Sequence, residues 1–547
     1  MDKADNPSYT GSMPSSRPST DPVEQAPRLG RQIGIASVIM MASIFLSRVM
    51  GLMREMVIAG VAGADAAVDA YRVAFIVPEI LNHILASGFL SVTFIPIFAR
   101  YLGEKRSAEG WRVFSLILTV FGSLLLVLIV MAAIFTPSLV RLLAPGRDDP
   151  AFFTLAVRMT RIILPAQFFF FAGGLLMAVQ FARERFFIPA LAPLIYNFGI
   201  ILGGLLLASR WGMEGFAWGV LGGALVGNFA LQVWGARRTG MRFALAWDWR
   251  HPDLRRYLRL TLPLMLGLTM MFSTEILSKF FGSYLSAGSI AWIEYAMRIM
   301  LMLVAFFGQA VGVASYPFMA RMAAEGRTAD LNQLLNDTLR YLCIVLPFAV
   351  LIIVLREEVV TLLYMRGKFA RSDVLMTAPV LACLMLGAVA FATQTVVNRG
   401  FYAMQNTLLP AVYGTLAVIL SVPLYYVGLR WLGINGIGLA VSVSAMAQVV
   451  LLYALWNRRS GNTGSGDVYR FLGKMALLSV PIGLVLMVLR AGIASRVASG
   501  TQSGALFITA AVGSTFVLLM MALGYGLRIR EITQLIRKLP GWPGRNG

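Results

Sequence analysis

The chain is a succession of apolar runs, each about as long as a membrane crossing, joined by short polar connections. A helix needs about 20 apolar residues to cross a bilayer. Only helices and closed barrels cross, because lipid offers the backbone no hydrogen-bond partners. Fourteen runs qualify, near 33–54, 68–99, 112–135, 152–179, 187–208, 215–235, 258–285, 289–319, 332–355, 374–403, 408–430, 436–457, 468–490 and 503–527. The count rests on breaks at Gly212-Met213-Glu214-Gly215 and Gly433-Ile434-Asn435-Gly436, where glycine marks helix ends. Hydrophobic residues make up 58% and charged residues 13%, about half the charged share of a soluble domain. The predicted fold is all-α and polytopic, with about 14 transmembrane helices.

A net charge of +21 would suggest nucleic acid in a soluble protein. Here the base sits in alternate connections. Seven arginines lie between Arg237 and Arg259, with others after spans two, four, eight and twelve and in the C-terminal tail. The positive-inside rule places those connections and both termini in the cytoplasm. No nucleic-acid partner is expected. Cys343 and Cys383 lie in separate apolar segments, so neither a disulfide framework nor a metal site is expected. The Pro- and Ser-rich stretch 1–30 reads as a disordered tail.

Shifted by 221 residues, Phe186–Arg238 overlays Thr407–Arg459 without a gap. Pro189 and Ala190 meet Pro410 and Ala411, Gly212 and Gly215 meet Gly433 and Gly436, and the closing Arg pairs coincide. A six-span repeat keeps its orientation, giving two parallel lobes with a binding site between them. The expected organisation is a tail at 1–30, an N-lobe at 31–238, a C-lobe at 239–459, two further helices within 460–530 and a tail at 531–547.

Charge inside an apolar span costs about 2.5–3.5 kcal/mol per residue on insertion scales, and such residues usually face a bundle interior or water. The first two spans carry Arg48, Arg54, Asp69, Arg72, Glu79, Asn82 and His83. From Asp69 to His83 the helical spacing places one polar face, and Pro78 should kink it beside Glu79. Asp69 and Arg72 equally suit closure of the helix end. Spans seven and eight carry Glu275 with Lys279 and Glu294 with Arg298, each an i, i+4 pair that also suits a structural ion pair. Arg399, near the end of span ten, is a further candidate. Gathered in one cavity, these residues would hold more base than acid, and arginine grips phosphate bidentately. An anionic, phosphorylated head is the expected cargo. No Walker motif and no nucleophile–base pair is found, so a carrier is expected, not an enzyme.

SRVMGLMRE, DAYRVAFIVPEIL, FLSVTFIPIFARY, RFFIPALAPLIYN, YMRGKF and NRGFYAMQNTLLP, in that order, resemble the MurJ/MviN family of lipid II flippases over roughly residues 31–530. The resemblance implies fourteen helices in two lobes plus two helices forming a lipid groove. It also implies transport of lipid II (an undecaprenyl-diphosphate-linked disaccharide-pentapeptide) from the cytoplasmic to the periplasmic leaflet of the bacterial inner membrane, for peptidoglycan synthesis. Matching positions assign binding roles to Arg48, Arg54, Asp69 and Arg298. Many members carry a basic pair where this chain has Asn82 and His83, an uncharged residue at Glu79 and an acid at Met297, with Glu294 one turn earlier here. The expected protein is a monomer in contact with membrane lipids and the cell-wall synthesis machinery. It has no cofactor, and a coupling ion or the membrane potential drives its return. Alternatives are a flippase for another polyprenyl-diphosphate-linked saccharide, an ion-coupled drug antiporter of the same superfamily, and a non-transporting scaffold for envelope assembly.

Overall fold

The structure, a computed structural model, describes residues 22–85, 93–268, 273–498 and 500–526. The expected tail 531–547 and the first part of the expected tail 1–30 lie outside them. All elements among the described residues are helical. In the first half they are α1 (Pro22–Ala62), α2 (Ala66–Ala74), α3 (Ile76–Leu85), α4 (Ile95–Gly103), α5 (Ser107–Leu143), α6 (Pro150–Ile163), α7 (Ala166–Ala182), α8 (Phe187–Trp211), α9 (Glu214–Gly223) and α10 (Leu231–Arg238). The second half holds α11 (Pro252–Leu268), α12 (Ser273–Gly282), α13 (Ser289–Val304), α14 (Ala310–Ala324), α15 (Thr328–Leu342), α16 (Val345–Val354), α17 (Arg356–Tyr364), α18 (Arg371–Met385), α19 (Ala388–Ala403) and α20 (Leu408–Ser460). Helices α21 (Ser465–Ala494) and α22 (Gln502–Gly526) follow. π-Helical turns, Ala224–Ala230 and Ala305–Gln309, join α9 to α10 and α13 to α14.

Helix α1 starts at Pro22, so residues 22–30, expected as disordered tail, are helical. Proline suits a first helical position, where its missing N–H has no intrahelical acceptor anyway.

Among the described residues, nine helices are long and apolar enough to cross a membrane, or ten if α18 and α19, bent by 46°, form one span. The chain is an all-helical, multi-pass membrane protein. Helix α20 is two helices end to end, because Gly433 turns the backbone at φ 56°, ψ −130°. Gly212, between α8 and α9, takes φ 53°, ψ −134°. Other left-handed positions recur at the same offset of 221 residues: Lys105 with Gly326, Glu184 with Gln405, and Gly240 with Gly461. Non-glycine residues seldom take positive φ. Their recurrence in register reflects one backbone plan used twice.

The expected kink falls at Phe75, where α2 ends and α3 begins. The ring of Pro78 collides with the carbonyl of the residue four back, so the helix breaks one turn ahead of it.

The halves are tied together by turns at the end opposite the basic connections. Lys368 N–H donates to the Gly60 carbonyl at 2.9 Å, and Tyr295 Oη donates to the Gly63 carbonyl at 3.0 Å. In the reciprocal clasp, Gly146 N–H donates to Ser283 Oγ at 3.1 Å. Gly367 takes φ 55°, and a Cβ there would run into the Gly60 carbonyl. At the basic end, buried Asp253 at the start of α11 accepts from Arg100 at 2.9 Å and from Tyr101 at 2.5 Å.

Candidate functional site

Between the two halves lies a cavity of about 340 Å³. Its charged walls come from α1, α2, α3, α12 and α13, and their charges face one another across it, with α6 to α9 completing the lining. Arg54, Arg72, Glu79, Asn82, Glu275, Lys279, Glu294 and Arg298 all line it, as the sequence reading requires. The broken α2–α3 segment supplies Arg72 above the break and Glu79 and Asn82 below it. The i, i+4 pairs of α12 and α13 close the opposite wall. A larger void, about 450 Å³, lies between the start of α5 and the connection after α10, away from this cluster.

The charged side chain of this cluster that sequence reasoning missed is Glu55. It is 1% exposed and sits behind the cavity wall. Arg54 donates to it at 2.7 Å, and Arg72 reaches both of its oxygens, the nearer at 2.5 Å. The local signal is a carboxylate next to an arginine deep in an apolar run. Adjacent residues point about 100° apart on a helix, so a search by i, i+3 and i, i+4 spacing passes over it. Glu55 changes the electrostatics. Arg54, Arg72, Lys279 and Arg298 meet four carboxylates, Glu55, Glu79, Glu275 and Glu294. The expected excess of base is therefore absent among the described cavity residues.

Exposure separates the cations into two sorts. Arg72 and Lys279 have side chains 6% and 3% exposed and are consumed by carboxylates. Arg54 and Arg298, at 20% and 34%, present guanidinium to the cavity. Arg54 is further steadied by Asn197 of α8, to whose Oδ1 it donates at 3.1 Å. Tyr71, Tyr196 and Gln167 add polar lining that sequence spacing did not reveal.

Four expected site residues lie outside the cavity lining. Asp69 is fully buried at the sealed end. It accepts from the backbone N–H groups of Gly288 and Ala291, each at 2.8 Å, and pairs with Arg147 at 2.6 Å. Gly288 caps α13 from a left-handed conformation, so Asp69 satisfies the free amides at that helix's N-terminus. Its place is in the seal, because the start of α2 packs against the start of α13. Arg48 is exposed on α1, about 9 Å along the axis from Arg54. His83 is half-buried, one turn beyond Glu79 on α3, and is not among the residues that line the cavity. Arg399 packs against Gly312 of α14.

Helices in two halves around a charged cavity, sealed at one end, define a multi-pass membrane transporter. The fold is similar to that of a solved inward-facing multidrug resistance MATE family transporter of the MOP superfamily, with TM-score 0.62, 16% identity, and coverage of 76% of this chain and 96% of that one. It is also similar to a solved lipid II flippase MurJ in an inward closed conformation, with TM-score 0.72, 21% identity, and coverage of 90% and 99%. The family profile for lipid II flippase MurJ matches residues 58–508. The chain belongs to that family. A probable lipid II flippase MurJ of Rhizobium meliloti (strain 1021) is 30% identical over 428 residues, 75% of this chain and 77% of that protein. One from Bdellovibrio bacteriovorus is 26% identical over 514 residues, 92% and 96%. As a member of this family the chain is a transporter of the bacterial inner membrane.

Proposed function

We propose that this protein carries lipid II from the cytoplasmic to the periplasmic leaflet by alternating access, for peptidoglycan synthesis. The observation that carries the reading is the cavity of a MurJ-family chain with Arg54 and Arg298 left accessible while Arg72 and Lys279 are neutralised behind them. Two guanidinium forks across a cavity suit a diphosphate, which accepts bidentate, charge-assisted hydrogen bonds. Arg48, exposed nearer the basic end, guides the head inward.

The fuller architecture is fourteen spans. Helices α2 to α4, α6 with α7, α11 with α12, α15 with α16, and α18 with α19 each make one broken span, and α20 makes two. Two parallel six-span lobes and the added α21 and α22 follow from the offset of 221 residues. The basic connections then face the cytoplasm, with both termini there, and the clasped turns face the periplasm. The polyprenyl tail stays in lipid beside α21 and α22, and the protein acts as a monomer.

A cavity of about 340 Å³ is at the small end even for drug-sized ligands. A disaccharide-pentapeptide therefore requires the lobes to part at the basic end before loading. The test is complementation of a strain depleted of its own lipid II flippase. Wild type should restore periplasmic exposure of lipid II, while Arg54→Ala and Arg298→Ala should each reduce it at least about ten-fold. Unchanged lipid II exposure with wild type present overturns the reading. Rescue confined to another polyprenyl-linked saccharide would reassign the cargo.

A further inference from the structure

Lys279 is the most enclosed charge of the cavity. Three carboxylates from three helices surround its ammonium: Glu275 of α12 at 2.9 Å, Glu294 of α13 at 3.6 Å and Glu79 of α3 at 4.0 Å. A buried ammonium is tolerated only when opposite charge surrounds it, and the same holds in reverse for the acids.

Glu294 is the shared member. One of its oxygens faces Lys279 and the other faces Arg298, both at 3.6 Å. Neither distance makes a hydrogen bond. Arg298 is drawn toward Glu294 without being clamped. Arg72 shows the contrasting state, with both oxygens of Glu55 engaged. The difference lies in the competitor. Among the described residues Glu55 is hydrogen-bonded by Arg72 and Arg54, whereas Lys279 draws Glu294 and Glu275 to its own side.

Without the Lys279 charge, Glu79 and Glu275 would lose their ion-pair partner among the described residues, and Arg298 would be left as the close partner of Glu294. The guanidinium would close onto Glu294 or Glu275 in a tight pair. The acids left over would repel any anion entering the cavity.

We propose that Lys279 is a positioning residue whose ammonium gathers Glu79, Glu275 and Glu294 and so leaves Arg298 free to grip the anionic head of the cargo. The inference rests on the lipid II reading and assigns Lys279 no contact with the lipid. The charge balance, not the lysine's bulk, is what matters.

The test is a binding titration of lipid II against the full-length protein in nanodiscs. Lys279→Met should weaken binding at least about ten-fold, and adding Glu275→Gln to it should restore binding to within about threefold of wild type. A purely structural lysine gives the opposite pattern, because the double variant loses the same packing and stays as weak as the single. The inference is overturned if Lys279→Met binds like wild type, or if the folded double variant binds about ten-fold more weakly than wild type. Where Lys279→Met does not fold, the double variant decides alone. Arg298→Ala separates the two claims. If wild type does not bind lipid II, or Arg298→Ala binds it as well as wild type, the functional reading fails. If Arg298→Ala weakens binding and Lys279→Met does not, only the role of Lys279 fails.

Discussion

Arg54 and Glu55 are neighbours on α1, yet one offers its charge to the cavity and the other buries its charge behind it. Glu55 and Arg72 form the most buried ion pair of the cavity wall, with side chains 2% and 6% exposed. Removing one partner of such a pair strands the other in a poorly solvated site and typically costs 3–5 kcal/mol, while replacing both with apolar groups is often close to neutral. Glu55→Met and Arg72→Met should therefore each lower the thermal unfolding midpoint of the purified protein sharply. The double variant should lie well above the sum of the two losses. Strict additivity would mean that the pair does not act as a unit. The sequence revealed the cavity residues that obey helical spacing, from Arg72 to Arg298. It did not reveal Glu55, whose importance comes from a contact with a residue on another helix. Asp69 was legible either as a binding residue or as closing a helix end, but the partners with which it makes the seal, Gly288, Ala291 and Arg147, lie far along the chain and were not.

At the level of helices, the apolar runs and their glycine breaks were readable, since length and turn chemistry are local properties. The π-helical turns at Ala224–Ala230 and Ala305–Gln309 were not. No residue pattern marks a wide turn, and such turns form where neighbouring helices dictate the path. The segment Ala224–Ala230 brings the Asn228 carbonyl against Gly173 of α7 so closely that any Cβ at Gly173 would collide with it. This contact fixes α7 to the end of α9 and so sets the wall that carries Gln167 into the cavity. A backbone carbonyl cannot swing aside as a side chain can. Gly173→Val should then cost more than the about 1–3 kcal/mol of ordinary overpacking. Reduced yield of folded protein and a lower unfolding midpoint would show it, whereas a variant as stable as wild type would mean that the π-helical turn can shift. Gly222, with open space around its Cβ position, makes the matched control.

For the whole molecule, the same backbone plan appears twice, and each copy places a turn onto the other half. Gly146 packs on Tyr284, and Gly367, 221 residues later, packs on Gly60. With the Asp69 cap, these reciprocal contacts close one end of the cavity while the other end meets at Asp253. Transport by alternating access requires the clasp to open, since buried Asp69 and its partners on α13 close this end among the described residues. A covalent bond across the clasp should stop the cycle without disturbing the cavity. A Cβ built at Gly63 lies 3.4 Å from Cβ of Lys368, just short of the usual spacing of a disulfide, but also 2.9 Å from the Lys368 carbonyl, and Gly63 takes φ 74°. The cysteine therefore needs a small shift of this turn, and the reduced protein serves as the control for that strain. The pair Gly63→Cys with Lys368→Cys, in a background with Cys343 and Cys383 replaced, should complement a flippase-depleted strain when reduced and fail when oxidised. Binding of lipid II to the oxidised protein should persist, because the lock acts at the end opposite the mouth. Full complementation by the oxidised, fully cross-linked protein would show that the clasp never parts. In that case the lipid would have to leave by a path between helices, not through the end that Asp69 seals.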